Sequence, residues 1–255
     1  MRRIGHTGTL DPFATGLLVL LTGQATRLAQ YIDGEPKIYE TIIAFGTETD
    51  TDDLTGTVVR TATSPSPGAI DAVIPTLTGS LDQLPPAFSA KQSGGVRAYA
   101  AARKGTPLEL EPTRVTVHRW TIISRDDASI TARIECSGGT YIRSLGRDLG
   151  RLTGSAAHLT SLRRVASGPF AVDRAVALEE LRAGRYAIVP MLEGIGSMPR
   201  QVLSSDEVLR VSHGNPVAAT VPGDRGALTT VDGRLIAIAM RVGENWQPST
   251  VFPHV

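Results

Sequence analysis

The chain has a single cysteine, Cys136, so it can form no internal disulfide and no cysteine-based zinc site. Aromatic residues make up only 5% of it, which leaves any core mostly aliphatic. No apolar run approaches the roughly 18 residues that a membrane-spanning helix needs. Net charge is also nearly absent: 26 basic residues face 25 acidic ones, for +1, which excludes a histone-like polycation. Lysine is scarce, with only Lys37, Lys91 and Lys104 among the basic residues. The five histidines, His6, His118, His158, His213 and His254, show no metal-ligand spacing. GxSxG, GxGxxG and the P-loop lysine are all missing. No metal site is therefore expected. The first residues carry no apolar signal region, so the expected compartment is the cytoplasm.

What is present is unevenly placed. Residues 1–60 hold 5 basic and 8 acidic residues, whereas residues 97–164 hold 12 basic and 6 acidic ones. A net +6 stretch in a nearly neutral chain is a candidate phosphate-contacting surface. Nearly all of its cations are arginine, which favours bidentate phosphate contacts. The ordinary alternative is a solvated arginine face.

The 255 residues suffice for one large domain, or for a main domain and a small one. Residues 38–45 (IYETIIAF) are β-branched and aromatic and read as a strand. Residues 47–56 (TETDTDDLTG) form an acidic turn. Residues 70–77 read as a short helix, residues 84–95 (LPPAFSAKQSGG) as an extended loop, and residues 97–104 as an alanine-rich helix. Strands are expected at 115–123 and 130–136. A helix follows over 140–152, where Ile142, Leu145, Leu149 and Leu152 share one face. Arg143, Arg147 and Arg151 recur every four residues on its other side. Residues 190–199 read as a linker. Beyond it, Ser204 or Ser205 caps a helix, and strands are expected at 227–231, 235–240 and 246–252. About 55 residues make a small independent domain, so this tail is expected to pack on the main one.

The segment Gly5–Gly16 (GHTGTLDPFATG) is the most unusual. Its glycines permit close backbone approach by a ligand, and Pro12 restricts Asp11 to extended geometry. Read alone, Asp11 is most simply a turn-capping aspartate.

Longer matches change that reading. GHTGTLDPFATGLL at 5–18 resembles the signature of the bacterial tRNA pseudouridine synthase B family. Lys37-Ile38-Tyr39 resembles its K-x-Y strand, and residues 84–103 resemble its PP-x-[YF]-SA insertion. CSGGTYIRSLGRDLG at 136–150 and Leu162-Arg163-Arg164 resemble two further elements, in the family's order. The resemblance implies an α+β fold: a mixed, mainly antiparallel sheet with flanking helices, in residues 1–195. An RNA-clasping insertion is implied near 80–113, and a small β-rich PUA-like RNA-binding domain over 200–255.

It also implies the chemistry. Asp11 matches the catalytic aspartate, Tyr39 the tyrosine that stacks on the target base, and Arg143 the arginine paired with the aspartate. Tyr141, His6 and Leu10 match residues around the site. Lys91, Arg97, Arg147 and Arg163 are candidate RNA contacts. The implied reaction is uridine-to-pseudouridine isomerisation at position 55 of the tRNA T loop. It needs no cofactor, because no redox step or external group is involved. The implied partner is the tRNA T stem-loop, with no membrane, no required protein partner and a monomeric enzyme. Relatives carry an N-terminal strand and a K-P-x-G-x-T-S segment before the GHTG loop, which this sequence is expected to lack. A non-catalytic RNA-binding protein, or a synthase acting on another RNA, are the competing expectations.

Overall fold

The computed structural model describes residues 3–89, 91–93, 96–103, 106, 108 and 110–252, with backbone alone at 92, 93, 96, 97, 100 and 103. The first half runs β1 (Ile4–His6), β2 (Thr15–Gly16), β3 (Leu20–Thr22), β4 (Lys37–Phe45), β5 (Thr47–Thr49), β6 (Val58–Thr61), α1 (Pro67–Val73), β7 (Gly79–Gln83), β8 (Gln92–Ser93), β9 (Val96–Arg97) and α2 (Ala98–Arg103). It continues with β10 (Thr113–Arg125), β11 (Ser129–Cys136), α3 (Ile142–Leu152), β12 (Ala157–Ser167), β13 (Phe170–Ala171), α4 (Leu178–Arg182), β14 (Arg200–Val202), α5 (Ser205–Ser212), β15 (Val217–Ala218), β16 (Arg225–Thr229), β17 (Leu235–Val242) and β18 (Asn245–Val251). Contacts divide the chain into two units.

The larger unit takes residues 9–17 and 34–175. Its sheet has the order β13-β12-β4-β11-β10-β7, and the short β2 pairs with β12. All neighbours are antiparallel except β2 with β12, which makes the sheet mixed but mainly antiparallel, as expected. Alternation along β4 buries Tyr39, Thr41, Ile43 and Phe45 on one face. Ile142, Leu145 and Leu149 of α3 join that face in a single aliphatic cluster with Ile130, Ile134 and Leu159. Leu152, expected on the same helix face, is 57% exposed because it sits on the last turn, past the sheet contact. Gly146 and Gly150 let α3 lie close to β12: a Cβ at 150 would stand 2.5 Å from the Ala157 nitrogen.

The second unit gathers residues 3–8, 18–33 and the chain from 176 onward. Its five strands run β14-β16-β17-β18-β15, and β1 pairs with β3 in a separate ribbon. Of the two serines expected to cap the helix, Ser204 is the cap, in a capping box closed by Glu207. Beyond the expected 200–255 module, this unit takes in residues 176–199 and the two N-terminal segments. Leu28, Tyr31 and Ile32 pack into a cluster with Ile195, Leu235, Ile238 and Phe252. These N-terminal residues supply apolar surface that a 55-residue tail lacks. Residues 190–199 are no open linker, because Ile195 is fully buried in the 3₁₀ turn Met191–Ile195. The strand expected to reach Val231 stops at Thr229, and Val231 is left in a solvent-facing turn.

Alanine at an ordinary helix-interior glycine gains up to about 1 kcal/mol. At position 150 the added methyl meets backbone, and Gly150→Ala is expected to lower unfolding free energy by about 1–3 kcal/mol. Urea denaturation measures it, and a stabilised variant would contradict the packing described.

Candidate active site

Asp11 stands in the loop that enters β2. The Ala14 amide donates to the Asp11 carbonyl at 2.9 Å and closes a turn just after Pro12. The loop's exit is tied to β12, where the Leu17 amide donates to the Arg164 carbonyl at 2.8 Å. Gly16 makes that approach possible: its φ is +96°, and a Cβ would lie 2.2 Å from the Arg164 oxygen.

Across from the loop, the second residue of α3 is Arg143. Its Nε donates to Asp11 Oδ2 at 3.0 Å and its Nη2 to Oδ1 at 2.8 Å, a bidentate pair. The same guanidinium donates to the carbonyls of Thr51 and Phe88, at 2.8 and 2.9 Å. Asp53 Oδ2 lies 3.6 Å from its Nη1. Only 4% of the Arg143 side chain is exposed, against 28% for Asp11. The carboxylate is thus reachable from solvent while the cation that orients it is sealed in.

Arg143 is the first rung of a ladder. Arg147 Nη1 donates to Asp52 Oδ2 at 2.9 Å, and Arg151 Nε donates to Glu48 Oε2 at 3.0 Å. The acid partners come from β5 and the turn that follows it. Asp52 adopts φ 60°, in the left-handed region, and the Leu159 amide on β12 donates to its carbonyl. Asp53 accepts from the Thr51 and Thr55 hydroxyls and from the Thr55 amide, which seats it beside Arg143. Burial pushes the Asp52 carboxyl up to about 6, against the opposing pull of Arg147 and Arg143. Arg151 holds Glu48 below the usual carboxylate range.

Tyr141 caps the N-terminus of α3 with extended backbone. Gln83 clamps it: the Tyr141 amide donates to Gln83 Oε1 at 2.8 Å, and Gln83 Nε2 donates to the Tyr141 carbonyl at 3.0 Å. Burial raises the pKa of the Tyr141 phenol, and raises that of Tyr39 on β4 as well. Both phenols lie within electrostatic reach of Asp11. Tyr39 is 8% exposed, so its ring sits mostly within the sheet's packed face.

Asp11, Tyr39, Tyr141 and Arg143 therefore converge, with the half-buried Leu10 next to Asp11 in the chain. His6 is exposed on β1, in the other unit. Arg163 is exposed on β12 and Lys91 is half-buried. The Arg97 side chain lies outside the described residues. Arg147 is a correction: it is no RNA contact, because it is 6% exposed and its donors go to Asp52, Asp148 and the Leu84 carbonyl.

The expected basic face is only partly available: four of its arginines are at the surface but paired, and two are buried. Arg114, Arg119, Arg125 and Arg133 each pair with an acidic side chain, and Arg143 and Arg164 are buried. Asp53 and Gln83 carry no motif signal, and Arg164 enters the sequence reading only within the Leu162-Arg163-Arg164 match, with no role. Period-two alternation on β12 could have found Arg164, which shares the buried face of Leu162 while Arg163 points the other way.

Residues 1–142 match the TruB family pseudouridylate synthase N-terminal domain, and residues 143–196 match the tRNA pseudouridylate synthase B C-terminal domain. The chain belongs to the TruB family. It is a pseudouridine synthase, an enzyme that isomerises uridine to pseudouridine. The tRNA pseudouridine synthase B of Thermobifida fusca is 42% identical over 262 residues, covering 98% of this chain and 89% of that protein. That of an Arthrobacter species is 40% identical over 270 residues, covering 98% and 88%. A solved H/ACA ribonucleoprotein bound to a substrate RNA containing 2′-deoxyuridine shares the fold, with a TM-score of 0.72 at 22% identity over 99% of this chain and 77% of that one. The two TruB segments meet at 142/143. Asp11, Tyr39 and the ladder's carboxylates thus come from the first, and Arg143, Arg147 and Arg151 from the second.

Arg143→Met leaves Asp53 buried beside no cation, and is expected to cost about 3–5 kcal/mol of stability in urea unfolding. A loss below about 1 kcal/mol would show that the pair is not held as described. Asp52 gives a pH signature. Its folded pKa of about 6 exceeds the usual 3.8, so the folded chain binds the proton more tightly. That contribution is full below the unfolded pKa and is lost as pH rises through about 6. Stability relative to Asp52→Asn should fall between pH about 4 and 7, and a flat difference would refute it.

Proposed function

We propose that this TruB-family enzyme converts uridine 55 in the tRNA T loop to pseudouridine, with Asp11 as the group that starts the reaction. The observation that carries this is the Asp11–Arg143 pair: an open carboxylate held in one orientation by a buried guanidinium. The curated relatives bear the name tRNA pseudouridine synthase B, which supports tRNA as substrate. The T-loop position rests on the GHTGTLDP resemblance.

The chemistry fits these groups. The N1–C1′ bond of the uridine breaks, the base rotates, and C1′ bonds to C5. C5 then loses its proton and N1 gains one, so the composition is unchanged and no cofactor takes part. Asp11 acts either as nucleophile or as the base that opens a glycal route. Both routes require the carboxylate to be aimed at the nucleoside, and Arg143 holds it in one orientation. The target base must leave its stack to reach a carboxylate in a protein cleft. Stacking on the Tyr39 ring would contribute about 1–3 kcal/mol to holding it.

Lys91 and Arg163 are the proposed phosphate contacts, and the β-rich tail is proposed as a PUA-like RNA-binding domain. The enzyme is proposed to act as a cytoplasmic monomer without a protein partner. Among the described residues no helix is long and apolar enough to cross a membrane.

Incubation with a tRNA transcript, followed by carbodiimide treatment and primer extension, should place one stop at position 55. Asp11→Asn is expected to reduce that signal by at least about 10³-fold. Pseudouridine appearing elsewhere in the tRNA would reject the position, and activity that survives Asp11→Asn would reject the role of Asp11.

A further inference from the structure

We propose that Arg164 is a positioning residue for Asp11: its guanidinium braces both ends of the catalytic loop. This rests on the proposed reaction at Asp11. Arg164 is 2% exposed, on the buried face of β12. Its Nε donates to the Leu17 carbonyl at 2.8 Å and its Nη1 to the Thr9 carbonyl at 3.2 Å. Thr9 precedes Asp11 by two residues and Leu17 follows it by six, so one side chain ties the loop where it enters and where it leaves.

The backbone of the same residue completes the tie. Its carbonyl accepts from the Leu17 amide at 2.8 Å, and β2 pairs in parallel with β12 at Gly16 and Arg164. On the opposite side Arg164 sits across from Tyr39 in the β4–β12 ladder, and the charge of its guanidinium acts on the tyrosine's phenol.

Arg143 fixes which way the Asp11 carboxylate points. Arg164 fixes where the backbone that carries it lies. The two act on different degrees of freedom, and the reaction needs both, because a misplacement of about 1 Å can cost about 10²-fold in rate. A planar fork suits this task. Two nitrogens at fixed separation reach two carbonyls at once, which the single ammonium of lysine does not reproduce. Phosphate binding is not the role of Arg164, because it is sealed from solvent. Removing it should therefore slow the chemical step and leave tRNA affinity intact.

The test uses the full chain with Arg164→Lys and Arg164→Met. Single-turnover pseudouridine formation is measured at saturating enzyme. Rates are divided by the folded fraction from circular dichroism at the assay temperature, and tRNA dissociation constants are measured alongside. The expected result is a rate per folded molecule at least tenfold lower in both variants, with dissociation constants within threefold of the parent. A smaller fall in rate per folded molecule, or a loss carried by weaker tRNA binding, overturns the proposal.

Amide hydrogen exchange decides the brace without reference to activity. Exchange across residues 9–17 should accelerate in Arg164→Lys while β4 keeps its protection. Parental protection of residues 9–17 overturns the brace even where the parent makes no pseudouridine. An inactive parent by itself rejects only the reaction assigned above.

Discussion

The site depends on the ion pairs between one face of α3 and the acidic turn after β5. Arg143 joins Asp11 to Asp53, Arg147 holds Asp52, and Arg151 holds Glu48. Burying such groups carries a desolvation penalty that their attraction often only offsets. Their contribution is therefore better seen as geometric. A hydrophobic contact tolerates a range of orientations, whereas a bidentate arginine–carboxylate pair tolerates few. Asp11 has its direction set before any substrate arrives, which is the preorganisation that electrostatic catalysis requires.

The ladder also explains the charge pattern along the chain. Residues 97–164 carry an excess of cations and residues 1–60 an excess of anions. Much of the two excesses meets inside one unit. Glu40 pairs with Arg133, Glu48 with Arg151, Asp52 with Arg147, and Asp11 with Arg143. A charge imbalance between segments reads equally well as an external nucleic-acid surface or as internal pairing, and composition does not distinguish the two. Burial does.

The strand β4 and the helix α3 were legible because their patterning is strong: alternation along β4 and a 3.6-residue period in α3. Asp11 and Arg143 were legible through long motif matches, and the structure brings them together. Three things were hidden. Arg147 looked like a surface cation because helical spacing shows which residues share a face, but not what covers it. Arg164 stood next to Arg163 in a basic pair, and only the strand's alternation separates an exposed partner from a buried one. The second unit's boundary was hidden because Leu28 and Ile32 belong by contact to residues about 160 or more positions away. Local pattern carries no information at that range.

The arginines of α3 sit four residues apart, so successive rungs are turned by about 40° around a helix of 3.6 residues per turn. The acidic turn follows that rotation through the left-handed conformation at Asp52. Between the rungs, Leu145, Gly146, Leu149 and Gly150 are held by packing on the sheet, but a substitution there leaves the spacing of the rungs unchanged. A single inserted or deleted residue between Arg143 and Arg151 is different in kind, because it swings everything beyond it by about 100°. Placed between Arg143 and Arg147, it would leave both Asp52 and Glu48 facing the wrong side chains at once. The segment can drift in composition, but its length is a fixed dimension of the enzyme, like the tooth spacing of a gear.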